Sequence, residues 1–475
     1  MKKLIYQFHG WLGLNFGLLL FIICLSGSFA VISHEIDWLC NPAIRVSPEG
    51  DRLKWSALLE SAKKHTDNRD IRMCFAPQGS YFAAEFWTKD ERGNTRRIYV
   101  NPYNGEVMGE ATWMNVQRFF RDFHRRFYIM AWWGIWVVAI FSLPLLLSSI
   151  TGLLFYKRWW TRLATLRLRS GKRAFFSDLH KLIGIWTLLF TFVIGATGIW
   201  YFVEIPLSWM PAKNNPPAAS TPAASMPAEK IDRSKPPLSI DRLIEITESS
   251  IPEFQVRKIA LPTKRSKPIT ISGQATAWLV RNRTNWTKID PHSGRLIDSS
   301  KAENLDLLER WSHTADPLHF GNFAGLTSKL IWFFFGIGLS ALIPTGAYLW
   351  IQRRNMRTRK KLERSVIKNR SITHKELTKK VRRHYWVGII STLLIGYFAA
   401  SATYEALEKQ YYSAADKGDF QGLGEPAAIV VYSSFLVGIG LISLCWFCCV
   451  WLPSGRMLLA HSNVRLGLNK SNQSE

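Results

Sequence analysis

Long apolar stretches alternate with strongly polar stretches along this chain of 475 residues. Six apolar stretches reach about 20 residues, the length that an α-helix needs to cross a bilayer. The sequence therefore predicts an α-helical membrane protein with six transmembrane helices. The apolar stretches are 11–32, 131–156, 182–203, 330–351, 385–403 and 428–452. The first is longer than the apolar part of a secretory signal, so we expect an uncleaved anchor.

Basic residues are concentrated between alternate pairs of these helices. Seven Lys and Arg fall in 157–173 and fourteen in 352–383, whereas the segments 33–125, 205–327 and 404–426 carry nearly balanced charge. Basic loops stay on the cytoplasmic side of a membrane. We therefore expect a multi-pass membrane protein with both termini cytoplasmic and two large loops on the outer side.

The same asymmetry explains the formal net charge of +26. A strongly basic chain can bind nucleic acid, but these cations would lie against anionic lipid headgroups. We expect the lipid bilayer as a partner and no nucleic acid.

An internal repeat covers most of the chain. Each copy consists of a helix, an outer domain and a second helix in the same orientation, which implies a pseudo-twofold axis along the membrane normal. The matched positions are His9 and His180, Gly13 and Gly184, Ser26 and Thr197, Gly27 and Gly198, His124 and His319, and Thr151-Gly152 and Thr345-Gly346.

Both outer segments have the pattern of a small α+β domain. An amphipathic helix at 53–64 or 240–249 precedes strands that end in a glycine-containing turn, at 98–107 and 287–296, which is typical of a β-hairpin. We expect two separate domains. Cys40 and Cys74 share the first of them, and the sequence leaves open whether they form a disulfide.

These patterns divide the chain into thirteen segments. The predicted boundaries are 1–34, 126–158, 178–204, 326–352, 384–404 and 427–452 for the transmembrane helices, 35–125 and 239–325 for the outer domains, 205–238 for a Pro/Ala-rich periplasmic linker, 159–177 and 353–383 for basic cytoplasmic loops, 405–426 for a periplasmic loop and 453–475 for a cytoplasmic tail.

Four of the eleven histidines occupy matching repeat positions. His9 and His180 lie at the cytoplasmic ends of the first and third helices, and His124 and His319 precede the second and fourth helices on the outer side. The pseudo-twofold axis would bring each pair face to face. Two facing imidazoles can supply both axial ligands of a haem iron, so the sequence favours one haem near each membrane surface.

Glycines occur on the same helix faces as the first pair. Gly13 and Gly184 lie one turn beyond His9 and His180, and Gly27 and Gly198 lie 18 residues beyond them, which is five whole turns. Missing side chains at these positions would leave room for flat macrocycles. Glycine at such spacing is equally typical of close helix packing.

Other assignments of these residues remain open. A single histidine at a helix end is usually an interfacial residue, and His34 and His384 are rival ligands on the outer and cytoplasmic sides. Zinc is a weak competitor, because no third or fourth ligand is evident. Arg125, Arg126 and Lys181 flank the histidines and could pair with haem propionates or anchor the helix ends.

Taken together, these motifs resemble the PepSY-associated transmembrane proteins, which include ferrisiderophore reductases of the FoxB type. The resemblance covers about residues 5–355. The motifs that carry it are His-x-x-x-Gly at 9–13, the outer turns at 101–105 and 290–294, His-Arg at 124–125 and Asp-Leu-His-Lys at 178–181. Asn101 replaces the usual Asp of the first turn.

The resemblance implies a location in the bacterial inner membrane, outer PepSY domains in the periplasm, b-type haem bound by span histidines, and reduction of siderophore-bound ferric iron at the periplasmic face. With two histidine pairs, we expect two haems per chain. The matching ligand positions are His9, His124, His180 and His319. No catalytic residue beyond these ligands is assigned.

The expected function is an oxidoreductase that passes electrons from quinol or another donor to a ferric chelate. The chain has no G-x-G-x-x-G after a strand and no large cytoplasmic segment, so the donor is external. Two alternatives remain: a haem-free, membrane-anchored PepSY binding or regulatory module, and a siderophore permease. Few acidic residues occur in the spans, which argues against the permease.

Overall fold

The computed structural model describes residues 2–67, 69–91, 93–129, 133–209, 236–262, 267–367, Tyr397 and 426–446. The predicted helix at 384–404 (Tyr397 excepted), including His384, lies outside these residues. So do the tail at 453–475, the loop at 405–426 (Pro426 excepted), and most of the segments 205–238 and 353–383.

The described residues form thirteen α-helices and eight strands. The helices are α1 (Lys2–Asn15), α2 (Gly17–Val31), α3 (Ser33–Cys40), α4 (Trp55–His65), α5 (Val116–Arg126), α6 (Gly134–Ala139), α7 (Ser142–Phe155), α8 (Lys172–Trp186), α9 (Leu188–Trp209), α10 (Ile240–Ser250), α11 (Leu307–Phe320), α12 (Gly325–Ile367) and α13 (Pro426–Trp446). The strands are β1 (Met73–Phe75), β2 (Ala84–Lys89), β3 (Thr95–Val100), β4 (Val107–Thr112), β5 (Gln255–Ala260), β6 (Ile269–Gln274), β7 (Asn285–Ile289) and β8 (Leu296–Ser300).

Three segments of the described chain are long and apolar enough to cross a membrane: Gly134–Phe155, Leu188–Ile205 and Gly325–Arg354. The helices α1 and α2 pass the same test only as a pair, bent by 65° at their junction. The described residues therefore hold three candidate spans, or four if the bent pair counts as one. The apolar part of α13, Val430–Trp446, is shorter.

Both repeats begin with an interrupted helix, where the sequence predicted a single continuous one. The interruptions lie at Phe16 and Thr187, which are separated by the repeat offset of 171 residues. The Thr187 hydroxyl donates to the Ile183 carbonyl at 2.8 Å, a bond that often bends helices. At Phe16, the following Gly17 weakens the helix. His9 and His180 lie on the first halves, α1 and α8.

The two repeats pack against each other through their long helices. Helix α2 packs on α12, and α7 packs on α9. Small residues permit this close approach: a Cβ on Gly336 would collide with Ser28, and a Cβ on Gly198 would collide with Ser142. Gly198 therefore permits a close helix contact, and its predicted role in admitting a macrocycle stays a prediction.

The two outer segments share one sheet, so the prediction of two separate domains is wrong. The sheet has eight antiparallel strands in the order β4-β3-β2-β1-β5-β6-β7-β8. Strands β1 and β5 join the halves, with Cys74 opposite Ile259. Both side chains are 0% exposed, so each half alone would present an apolar strand edge to water. No disulfide links Cys74 to Cys40.

The helices α4 and α10 help to build a hydrophobic core common to both halves. Leu58 of α4 and Leu243 of α10 are buried in one cluster with sheet residues from both segments, including Phe86 and Ile271. Asp241 on α10 also accepts hydrogen bonds from the backbone N–H and hydroxyl of Ser56 on α4.

The predicted hairpins β3–β4 and β7–β8 are present. Gly105 and Gly294 adopt positive φ angles of 77° and 74°, which glycine accommodates without strain. Asn101 and Asp290 each accept a hydrogen bond from the backbone N–H two residues further on. The replacement of Asp by Asn in the first turn therefore preserves its geometry.

Candidate functional site

Four histidines form two imidazole pairs, at opposite ends of the bundle. The ring centroids of His9 and His180 are 6.4 Å apart, with an angle of 84° between the rings. This pair lies on α1 and α8, next to the basic loop, at what we call the basic end. The centroids of His124 and His319 are 6.1 Å apart, with an interplanar angle of 39°. This second pair lies on α5 and α11, at the sheet end.

At the basic end, both imidazoles are held through Nδ1 by the second long helix of their own repeat. His9 Nδ1 lies 3.0 Å from the Ser148 carbonyl oxygen and 3.1 Å from Thr151 Oγ1. His180 Nδ1 lies 2.9 Å from Thr345 Oγ1. Since Thr151 and Thr345 are matched positions of the repeat, the two contacts are related by the pseudo-twofold axis.

At the sheet end, the Nδ1 atoms contact the first long helix of each repeat. His124 Nδ1 lies 2.9 Å from the Ile23 carbonyl oxygen and 3.5 Å from Ser26 Oγ. His319 Nδ1 lies 2.8 Å from Thr197 Oγ1. Ser26 and Thr197 are again matched positions, so a hydroxyl approaches Nδ1 in all four cases.

These contacts assign the proton of each neutral imidazole. Every one of the four hydroxyls donates its own proton to a backbone carbonyl of its helix, so its oxygen accepts from the imidazole. The carbonyl acceptors are those of Leu147 for Thr151, Ala341 for Thr345, Ile23 for Ser26 and Val193 for Thr197. With the hydroxyl protons assigned in this way, the imidazole proton is on Nδ1 and the lone pair is on Nε2.

Each pair thus offers two nitrogen ligands to one metal ion. Two metal–nitrogen bonds of about 2 Å place the ring centroids about 6 Å apart, in agreement with both observed separations. Among the described residues, no third His, Cys, Asp or Glu joins either pair. Two protein ligands are fewer than a structural zinc site needs and are the number that a haem held by two histidines would use.

The environment of the sheet-end pair favours the neutral imidazoles that metal ligation requires. Burial lowers the pKa of His124 to about 4. Burial, with a smaller effect of a charge on His124, lowers the pKa of His319 to about 3. Both side chains are therefore neutral at physiological pH.

Glycines next to the hydroxyl residues make room for the imidazoles. A Cβ on Gly27 would lie 2.7 Å from Cε1 of His124, and one on Gly346 would lie 3.2 Å from Cε1 of His180. At Gly152 the distance to Cε1 of His9 would be 3.5 Å. Gly27 therefore admits a histidine ring, where the sequence predicted room for a macrocycle.

The remaining two predicted glycines border more open space. A Cβ on Gly13 would meet no atom within 4 Å, and one on Gly184 would meet only Leu342, at 3.8 Å. Their predicted role in admitting a macrocycle is compatible with these surroundings.

The rival His34 joins neither pair, and the flanking basic residues follow the paired histidines along their helices. His34 is the second residue of α3 and, within the described residues, stacks with none of the four imidazoles. Arg125 and Arg126 end α5 next to His124. Lys181 Nζ lies 3.6 Å from an Asp178 carboxylate oxygen. His384 falls outside the described residues.

Charged residues hold α5 and α11 in place. On α3, Asp37 accepts hydrogen bonds from the N–H groups of Val116 and Gln117, at 2.7 and 3.0 Å. Burial raises the pKa of Asp37 to about 7. On α11, Asp316 accepts from Tyr201 at 2.7 Å and forms a 2.7 Å ion pair with Arg281.

The anchoring hydroxyls were not identified as functional from the sequence. Ser26, Thr151, Thr197 and Thr345 did recur in the repeat, but helix packing explained them equally well. Their number could have distinguished them, because the repeat contains four matched hydroxyl–glycine dipeptides and four matched histidines.

Comparison with known proteins gives a family match over most of the chain. The sequence model described as "PepSY-associated TM region" matches residues 6–353. An uncharacterized protein of Pseudomonas aeruginosa is 27% identical over 246 residues, which cover 46% of this chain and 59% of that protein. The match thus spans somewhat more than half of that relative.

Proposed function

This chain belongs to the PepSY-associated transmembrane family, and from its histidine pairs we propose that it is a di-haem b membrane oxidoreductase. One observation carries the proposal: four imidazoles are anchored through Nδ1, so that two lone-pair Nε2 atoms are available in each pair. Two imidazoles whose ring centroids are 6.1–6.4 Å apart, each with an acceptor nitrogen to offer, suit a shared metal ion. Anchoring of the second ring nitrogen is also typical of metal-bound histidine.

His9 and His180 would hold one haem, and His124 and His319 would hold the other. A haem held by two histidines would supply one-electron transfer and would not bind a substrate itself. The chain's own contribution is to fix each imidazole through its hydroxyl partner and to bury it. Arg125 and Arg126, next to His124 on α5, would pair with propionates, whereas Lys181 already lies 3.6 Å from the Asp178 carboxylate.

The proposed direction of electron flow follows from the charge asymmetry. The basic end faces the cytoplasm, in accord with the positive-inside rule, and the sheet end faces the periplasm of a bacterial inner membrane. Electrons would come from quinol or another external donor at the basic end. They would reach a ferric chelate, most simply a ferric siderophore, at the sheet end. An inside-negative potential favours this outward movement.

An absorbance spectrum of the purified protein tests the proposal. We expect a dithionite-reducible b-type spectrum with two haems per chain, and reoxidation by ferric siderophore. His9→Ala and His319→Ala should each remove one haem, whereas the control His65→Ala, in the outer domain, should retain both. A colourless protein would instead favour a haem-free binding or regulatory module.

A further inference from the structure

A cavity of about 410 Å³ lies at the basic end, between the loop after α7 and the middle of α8. Its walls include three cationic side chains, those of Arg162, Arg167 and Lys181, and one carboxylate, that of Asp178. The hydroxyls of Thr161 and Thr165 also border it. A volume of this size is typical of small-molecule sites.

The charges in the cavity do not balance. Arg167 forms a bidentate pair with Asp178, at 2.7 and 3.1 Å, and Lys181 lies 3.6 Å from the same carboxylate. Arg162 has no ion-pair partner within the described part of the chain. Three cations and one anion leave a net charge of +2, which favours an anionic ligand.

Apolar side chains are exposed on both elements that enclose the cavity. Trp160 and Leu163 on the loop are 61% and 42% exposed, and Trp186 on α8 is 61% exposed. The indole N–H of Trp186 donates to the Leu163 carbonyl at 2.8 Å, which fastens the loop to the helix. Exposed tryptophans at the end of a membrane bundle are typical of the lipid–water interface.

We propose that this cavity binds the phosphodiester headgroup of an acidic phospholipid. The surplus cations and the hydroxyls can donate hydrogen bonds to phosphate oxygens. The exposed Trp160, Leu163 and Trp186 can contact the acyl chains of the same molecule. A neutral quinol would leave the surplus charge unpaired, and the one carboxylate is already held by Arg167. The site does not depend on the proposed haems.

Lipid titration of the detergent-purified full chain tests the proposal, with native mass spectrometry as the readout. We expect phosphatidylglycerol to bind at least tenfold more tightly than phosphatidylcholine. Arg162→Gln should weaken phosphatidylglycerol binding about fivefold, since one basic side chain near a lipid surface contributes about that factor. The matched control Arg169→Gln removes the same charge from the same loop outside the cavity, and should change binding less than twofold.

Three results would overturn the assignment. Equal weakening by Arg162→Gln and Arg169→Gln would indicate diffuse attraction by the loop. Displacement of the lipid by millimolar inorganic phosphate would identify a site for free phosphate. Loss of haem from Arg162→Gln without a change in lipid binding would assign the cations to a propionate. A haem-free protein that still shows the expected lipid selectivity would support the lipid site while refuting the proposed function.

Discussion

The anchoring of His319 by Thr197 offers a sharp test of how the sheet-end pair is built. The 2.8 Å contact to Thr197 Oγ1 is the hydrogen bond that the structure gives to Nδ1 of His319. Thr197 is 0% exposed, so water does not replace a lost hydroxyl. Thr197→Val keeps the side-chain shape and leaves a buried N–H without an acceptor.

The expected effect is a selective loss of haem from one site. Removal of a hydrogen-bond partner from a metal-bound histidine typically weakens metal binding by about 10–100-fold, or about 1.4–2.7 kcal/mol. Ser26→Ala should weaken binding by less than about threefold, because Ser26 is 3.5 Å from His124, whose Nδ1 keeps the Ile23 carbonyl at 2.9 Å. Thr197→Ser keeps the hydroxyl and should bind haem like the wild type.

Haem titration followed by absorbance, with haem per chain determined independently, measures these affinities. At a free-haem concentration between the wild-type dissociation constant and the weakened one, Thr197→Val should hold about one haem per chain and Thr197→Ser about two. Equal haem affinities for Thr197→Val and Thr197→Ser would refute the anchoring argument. Ser26 lies farther from its imidazole than Thr197 does. A loss of haem affinity in Ser26→Ala as large as that in Thr197→Val would therefore refute the proposed dependence on hydrogen-bond distance.

Three further predictions concern the surrounding structure. Gly27→Ala should abolish the sheet-end haem, because the new methyl group would lie 2.7 Å from an imidazole carbon; Gly438→Ala, which meets no atom within 4 Å, should retain both haems by absorbance. Ile259→Ala should lower unfolding stability by about 2–5 kcal/mol in thermal denaturation, whereas Leu296→Ala, at a 40% exposed position, should cost far less. Burial raises the pKa of Asp37 from its ordinary 3.8 to about 7, so its contribution to stability is fully present below about pH 4 and is lost as the pH rises through 7. Asp37→Asn should flatten this part of the melting-temperature profile, and an unchanged profile would contradict the assignment.

The partners in each histidine pair could be predicted because the repeat is visible in the sequence. A duplicated helix–domain–helix unit related by a pseudo-twofold axis places matched residues near each other at that axis. His9 with His180 and His124 with His319 follow from this relation alone, and the structure brings these partners together. Ligation of haem by them stays a prediction.

Other features depend on contacts that a linear pattern does not show. The strand β1 has only three residues, and its partner β5 lies far along the chain, so neither periodicity nor a turn signal indicates their pairing. The interruptions at Phe16 and Thr187 fall inside apolar stretches, where hydropathy does not distinguish a straight helix from a bent one. In the sequence, a Ser or Thr that forms a hydrogen bond with an imidazole looks the same as one that only packs between helices.

The junction between β1 and β5 has a further consequence for the sheet-end pair. Helix α5 follows the outermost strand of one half-sheet, and α11 follows the outermost strand of the other. The register of β1 against β5 therefore contributes to the placement of His124 and His319, together with the packing of α5 on α2 and of α11 on α9. A slip of two residues at this junction would slide one half by about 7 Å, more than the 6.1 Å between the two rings. The three residue pairs between β1 and β5 therefore help to keep the two imidazoles at a distance at which both could bind one metal ion.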